Sequence, residues 1–164
     1  MDVRLAQSKD FEKFYNKALR FLSFRPRSEK EVRSHFAKAS RGRGQSPSEQ
    51  TIELIIRKLK EQKFLDDTAF ANWWIEQRTL IKLKPKRIIK MELRQKGIDN
   101  ELIDELLEKT DETVSDLTKA KRIVEKKLSK YKKFQGFEKR NKLGRFLQSR
   151  GFDYDTIKDA LRDL

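Results

Sequence analysis

Cysteine is absent from the 164 residues. That excludes disulfides and thiolate metal sites, and it is the usage expected in a reducing cytoplasm. Histidine occurs once, as His35. With no second His or Cys it makes no plausible metal site, and no Ser–His–Asp arrangement is possible beyond this one His. Beside Phe36 on a helix it reads as a partly exposed structural residue. Three prolines and six glycines are too few for a strand-and-turn protein and favour long helices. No apolar run approaches the roughly 18 residues of a membrane span. The start, Met1-Asp2-Val3-Arg4, leads into no apolar stretch, so no signal peptide is expected. Apolar residues make up 36% of the chain. So small a share argues against a thick sandwich or doubly wound core, and thin amphipathic elements fit better.

Positive charge and aromatic rings are what the chain does have. Its formal net charge is +14, with 40% of residues charged. That calls for an anionic partner: nucleic acid, an anionic membrane surface or an acidic protein face. Eleven Phe and two Trp recur at helical spacings, which a disordered basic tail would not carry.

The spacing of the apolar residues is that of helices. Phe11, Phe14, Tyr15, Ala18, Leu19 and Leu22 line one helix face, as do Ile52, Ile55, Ile56 and Leu59. Leu102, Ile103, Leu106 and Leu107 repeat the pattern, and so do Ile157, Ala160, Leu161 and Leu164. Ser28 with Glu31 reads as a capping box, and Ser46-Pro47-Ser48-Glu49 as another with Pro47 at the first helical position. Asp66 is placed to cap a helix from Asp67, with Leu65 and Phe70 as its staple. Pro85 opens a further helix. Adjacent carboxylates at a helix start do not converge on one reacting atom, so Asp66 and Asp67 read as capping residues and not as an acid–base pair. Of Trp73 and Trp74, at most one can face a given core.

One block occurs twice. Lys96-Gly97-Ile98-Asp99 followed by Glu101, Ile103 and Leu107 matches Arg150-Gly151-Phe152-Asp153 followed by Asp155, Ile157 and Leu161, at an offset of 151 − 97 = 54. The glycine supplies the left-handed residue that ends one helix, and Asp99 or Asp153 caps the next. A weaker echo pairs Phe24-Arg25-Pro26-Arg27 with Leu83-Lys84-Pro85-Lys86. A period near 55–60 holds three helices with short turns. The chain is therefore expected to be all-α, with three tandem three-helix repeats at 11–62, 63–110 and 111–164 after an N-terminal extension at 1–10. Units this small hide their apolar stripes poorly, so they should stack into an elongated, curved array.

Charge is segregated along this plan. From Lys82 to Lys96 seven basic residues stand against Glu92 alone, and from Lys119 to Arg145 twelve stand against Glu125 and Glu138. Between them, Asp99 to Asp116 carries eight carboxylates against Lys109. Lys86, Lys90 and Arg94 fall four residues apart, on one helix face away from Ile89 and Leu93, which suits a phosphate backbone or an acidic groove. The competing reading is a solvated face balanced by the acidic helix of the same repeat.

Four motifs together resemble the RecX family. Ala18-Leu19 with Leu22, then Arg25-Pro26-Arg27-Ser28 and Glu31-Val32, is similar to that family's opening. Phe64-Leu65-Asp66-Asp67 with Phe70-Ala71 resembles its aromatic-Leu-Asp-Asp signature. Arg87-Ile88, then Glu92-Leu93 and Lys96-Gly97-Ile98, resembles its middle block, with Arg87-Ile88 one residue further from Glu92 than usual. Leu147, then Arg150-Gly151-Phe152, resembles its closing block. Pro85 stands where the family often has Gly, and the Arg41–Arg43 loop is longer and more basic than expected. The resemblance spans residues 18 to 164. It implies a cytoplasmic, non-enzymatic regulator, usually an inhibitor, of RecA. Such a protein lies in the groove of the RecA–single-stranded-DNA filament, opposes strand exchange and ATP turnover, and needs no cofactor. The expected partners are the RecA filament and single-stranded DNA phosphate, with no membrane and a monomeric chain. Arg25, Arg27, Arg41, Arg43, Lys84, Lys86, Arg87, Lys90 and Arg94 are the candidate contacts. Ser28, Asp66, Gly97, Asp99, Gly151 and Asp153 are the structural caps. The alternative is a free-standing, nonspecific nucleic-acid-binding protein.

Overall fold

The computed structural model describes residues 9–40, 46–111 and 114–164. Nine α-helices and no strand occur among them. They fall into three successive sets of three: α1 Lys9–Ser23, α2 Glu29–Ser40 and α3 Glu49–Glu61; α4 Asp67–Glu76, α5 Lys86–Gln95 and α6 Asn100–Asp111; α7 Asp116–Leu128, α8 Gly136–Ser149 and α9 Tyr154–Ala160. This is the three-by-three helical plan expected from the repeat. The chain divides into two compact units, the described residues up to Trp73 with Lys96–Ile98, and Trp74–Gln95 with Asp99–Leu164.

In the first unit the stripes of α1 and α3 meet. Phe11, Phe14, Tyr15 and Ala18 pack with Ile52, Ile55, Ile56 and Leu59, and Val32 and Phe36 of α2 complete the cluster. Each Val, Leu, Ile or Phe side chain among them contributes about 1.5–3 kcal/mol on full burial. Phe11 stacks on Tyr15 at 5.7 Å, and the Lys58 ammonium lies 4.7 Å from the Tyr15 ring centre. In the second unit Ala120, Ile123 and Val124 of α7 meet Leu143 and Leu147 of α8, Phe152, and Ala160 and Leu161, with Leu83 joining them.

The caps follow the sequence with one correction. The Glu31 amide donates to Ser28 Oγ at 3.3 Å, and the Ser28 amide to Glu31 Oε2 at 3.4 Å, a capping box. The Ala69 amide donates to Asp66 Oδ1 at 2.9 Å, the Glu101 amide to Asp99 Oδ1 at 2.9 Å and the Thr156 amide to Asp153 Oδ1 at 2.8 Å. At α3 the cap is Ser48 and not Ser46. Ser48 is extended (ψ 159°), and its Oγ accepts from the Thr51 amide at 3.2 Å. Pro47 therefore precedes the cap and does not occupy the first turn. Both serines could supply the hydroxyl, and the Thr51 side chain, 2.9 Å from Ser48 Oγ, favours the second.

Gly97 and Gly151 have φ of +81° and +94°, as a left-handed helix end requires. At Gly151 the Phe152 amide donates to the Leu147 carbonyl and the Gly151 amide to that of Gln148, a complete Schellman ending. The same ending occurs after α3 without glycine. The Phe64 amide donates to the Leu59 carbonyl and the Lys63 amide to that of Lys60, with Lys63 at φ +58°.

Successive sets are joined by a device that appears twice. Asp67, the first residue of α4, accepts from the Glu29 amide at the start of α2 at 2.8 Å. Asp116, the first residue of α7, accepts from the Lys86 amide at the start of α5 at 3.0 Å. In each case a carboxylate meets the positive end of a helix in the preceding set. The glycine corners complete the joints. A Cβ on Gly97 would lie 2.8 Å from Lys30 Cβ, and one on Gly151 would lie 2.5 Å from Ile88 Cγ1. The glycines are thus required by close approach as well as by φ.

Helix α4 runs into a π-helical turn, Gln77–Ile81, closed by the Lys82 amide donating to the Gln77 carbonyl at 3.2 Å. Leu83 follows at φ +49°. Nothing in the sequence announces either feature.

Candidate functional site

The basic face of α5 forms as the spacing implies. Ile89 and Leu93 are fully buried, while Lys86 and Lys90 are half-buried and Arg94 exposed. Most of its charges, however, already have partners. Lys90 Nζ is bonded to Asp104 of the acidic helix α6. That contact holds the Asp104 carboxyl below its usual range, through the Lys90 hydrogen bond first. Arg94 Nε donates to Asn100 Oδ1 at 2.7 Å, and Arg87 reaches the Gly151 carbonyl at 3.4 Å.

Glu92, the lone acid in this stretch, gathers three neighbours. It accepts from Trp74 Nε1 at 2.9 Å and Arg78 Nε at 2.7 Å, and Lys84 Nζ stands 3.5 Å away. Burial pushes the Glu92 carboxyl up, but the Arg78 hydrogen bond and charge, with Trp74 and Lys84, bring it below the ordinary value. Trp74 is buried under the Arg78 guanidinium, 3.9 Å from the ring centre, whereas Trp73 is half-buried near Arg25.

The first-repeat candidates are also engaged. Arg25 pairs with Glu31 at 2.8 Å, and Lys96 adds a second ion pair to the same carboxylate at 2.5 Å. Arg27 lies 4.0 Å from the Phe21 ring centre, and the same ring stacks on His35 at 4.2 Å. Burial lowers the His35 pKa, and the charges of Arg27 and Lys17 lower it further. Ser28 is buried, and its hydroxyl donates to the Lys96 carbonyl at 2.7 Å. Arg41 and Arg43 lie outside the described residues.

The third set of helices is different. Of the twelve cations from Lys119 to Arg145, only Lys119 and Lys142 make ion pairs among the described residues, with Asp116 at 2.8 Å and Glu138 at 3.7 Å. Lys121, Arg122, Lys126, Lys130, Lys132 and Lys133 are exposed. Lys127 lies over the Phe146 ring at 4.7 Å and Lys133 over Phe134 at 5.2 Å. This stretch was visible in the sequence as a charge run. What singles it out, how few of its cations meet a carboxylate among the described residues, is a tertiary fact. Among the described residues no three His, Cys, Asp or Glu side chains gather as a metal site, and no helix is long and apolar enough to cross a membrane.

Comparison with known proteins gives one consistent result. Three sequence models match in order: the first three-helix domain of RecX at residues 15–38, the second at 66–107 and the third at 115–161. The regulatory protein RecX of Finegoldia magna is 34% identical over 149 residues, covering 90% of this chain and 70% of that protein. The regulatory protein RecX of Bacillus licheniformis is 33% identical over 162 residues, covering 98% of this chain. The chain spans 59% of that relative's length and 58% of its Bacillus subtilis counterpart's. Among solved structures, the crystal structure of RecX from Lactobacillus salivarius superposes with a TM-score of 0.73 at 28% identity, covering 94% of this chain and 96% of that one.

Proposed function

The chain belongs to the RecX family, and from that premise we propose that it is a non-enzymatic regulator of RecA. In this reading it binds the RecA–single-stranded-DNA filament as a cytoplasmic monomer and inhibits ATP turnover and strand exchange. The observation that carries the reading is the set of exposed cations between Lys121 and Arg145 that make no ion pair among the described residues, which suits a phosphate backbone running beside a protein surface. Arg87 and Arg94 bond neutral groups and keep their charge available. Three repeats in one chain can touch neighbouring RecA subunits and DNA at once, so avidity exceeds any single contact.

The test is RecA ATPase activity on single-stranded DNA with increasing amounts of this protein. Suppression at or below stoichiometric addition is expected, and unchanged turnover overturns the reading. Salt titrations with naked DNA and with filaments separate it from nonspecific nucleic-acid binding, for which the two affinities would be equal.

A further inference from the structure

The third set of helices carries an apolar opening that the proposed function does not use. A groove of about 520 Å³ lies between α8 and the residues from Phe152 into α9. Phe137 and Tyr154 line it with 84% and 76% of their surface in solvent, more than any other large apolar side chain described. One exposed ring is ordinary, but two on one groove mark a binding surface. Arg140 and Arg145 line the same groove, and no acidic residue does. Among the described residues Arg145 makes no ion pair, and Arg140 reaches the Arg162 carbonyl at 3.5 Å. Asn141 adds an amide that can bond a base edge. Asp153, next to Tyr154, turns its carboxylate to the Thr156 amide and hydroxyl, both at 2.8 Å.

We infer that this groove is a base-stacking site for single-stranded nucleic acid that works without RecA. Every base has a π-face, so exposed rings flanked by unpaired guanidinium groups bind a single strand with little regard to sequence. The unpaired cations of α7 and α8 extend well beyond the groove, which suits a polyanion better than the side chain of a protein partner. The inference deepens the proposed function and rests on it for the choice of single-stranded DNA as ligand.

The test is fluorescence anisotropy of the full chain with a labelled oligothymidylate and no RecA. Phe137→Ala and Tyr154→Ala should each weaken binding about tenfold with little change in salt slope. Arg145→Ala should lower the salt slope by about 0.7. Both rings are exposed, so melting curves should not move, and Phe64→Ala, at an exposed ring in the first unit, should bind as wild type. An abasic strand of the same length should bind wild type no better than the combined Phe137→Ala, Tyr154→Ala variant binds oligothymidylate. The inference is overturned if wild type binds no oligonucleotide, if the ring variants bind as wild type, or if the abasic strand binds equally well. It is also overturned if the ring variants keep oligonucleotide binding but lose filaments, since the groove would then meet protein. Ring-dependent oligonucleotide binding by a chain that leaves RecA turnover unchanged would sink the proposed function and leave this inference standing.

Discussion

Helix α5 and the stretch from Lys119 to Arg145 carry similar runs of positive charge, yet the fold engages one and leaves the other open. On α5 and its flanks Lys84, Lys90 and Lys96 meet Glu92, Asp104 and Glu31. The α5 start takes the Asp116 carboxylate, and Ile88 packs on Gly151. Among the described residues the later stretch has two ion pairs for twelve cations. The difference teaches that a basic helix advertises a binding face only when no acidic helix is packed beside it. By that measure α5 is first a joint, and α7 with α8 is the free face.

If α5 is a joint, removing the group that holds its start should cost most. Asp116→Ala strips the acceptor from the Lys86 amide and leaves the buried Lys119 ammonium without its carboxylate. Breaking a buried pair in this way costs about 3–5 kcal/mol. Asp116→Asn keeps the acceptor and should recover part of it. Urea unfolding measures both, and a loss for the alanine variant below about 1 kcal/mol would break the comparison.

Charge reversal tests the free face. Lys126→Glu, Lys130→Glu and Lys133→Glu together should weaken filament binding on the order of a hundredfold and lower the single-strand salt slope by about 2. Reversing Lys86, Lys90 and Arg94 should weaken binding less than about tenfold, because their phosphate contacts are fewer. It should also lower the melting temperature, since residue 90 would then face Asp104 as a like charge. Equal losses of affinity would erase the distinction, and a larger loss from α5 would reverse it.

Gly151→Ala probes the joint from its other side. The left-handed φ costs roughly 1 kcal/mol, and overlap of the new Cβ with Ile88 adds about as much. A loss of about 2 kcal/mol is expected by chemical denaturation. Gly144→Ala is the control. Its Cβ would sit at an ordinary 3.6 Å from Ile157 and Leu161 within α8, and it should not destabilise.

What the sequence made legible was local. The caps at Ser28, Asp66, Asp99 and Asp153, and the positive φ of Gly97 and Gly151, depend on residues within one turn of each other, and their spacing carries the information. The Lys63 ending was hidden because a lysine in the left-handed region has no compositional sign. The π-turn before Leu83 likewise has no proline or glycine to mark it. The engagement of Lys90 and Arg25 was hidden for another reason. It depends on which acidic side chain packs opposite, and Asp104 and Glu31 were visible only as charge elsewhere in the chain. Phe137 and Tyr154 looked like any aromatics at helical spacing until burial separated them from the core.

The smallest effect concerns Glu92, which ties Trp74, Arg78 and Lys84 together beside α5. Its carboxyl lies below its ordinary value despite burial, because Arg78, Trp74 and Lys84 outweigh the desolvation. A carboxylate whose folded pKa is depressed contributes stability that is fully present above its unfolded pKa of about 4.3. That contribution is lost as pH falls through the lower folded value. Glu92→Gln keeps an acceptor but removes the charge, so it should cost about 1 kcal/mol at neutral pH. The two proteins should converge in acid, where wild-type Glu92 is protonated in both states. Urea unfolding followed by tryptophan fluorescence at a series of pH values reads this directly. A difference that is absent at neutral pH would mean that these contacts hold nothing in place. Arg78 and Lys84 would then be as available to an anionic partner as the cations of α8, and the engagement of α5 would rest on Lys90 with Asp104 and on the Asp116 carboxylate at its start.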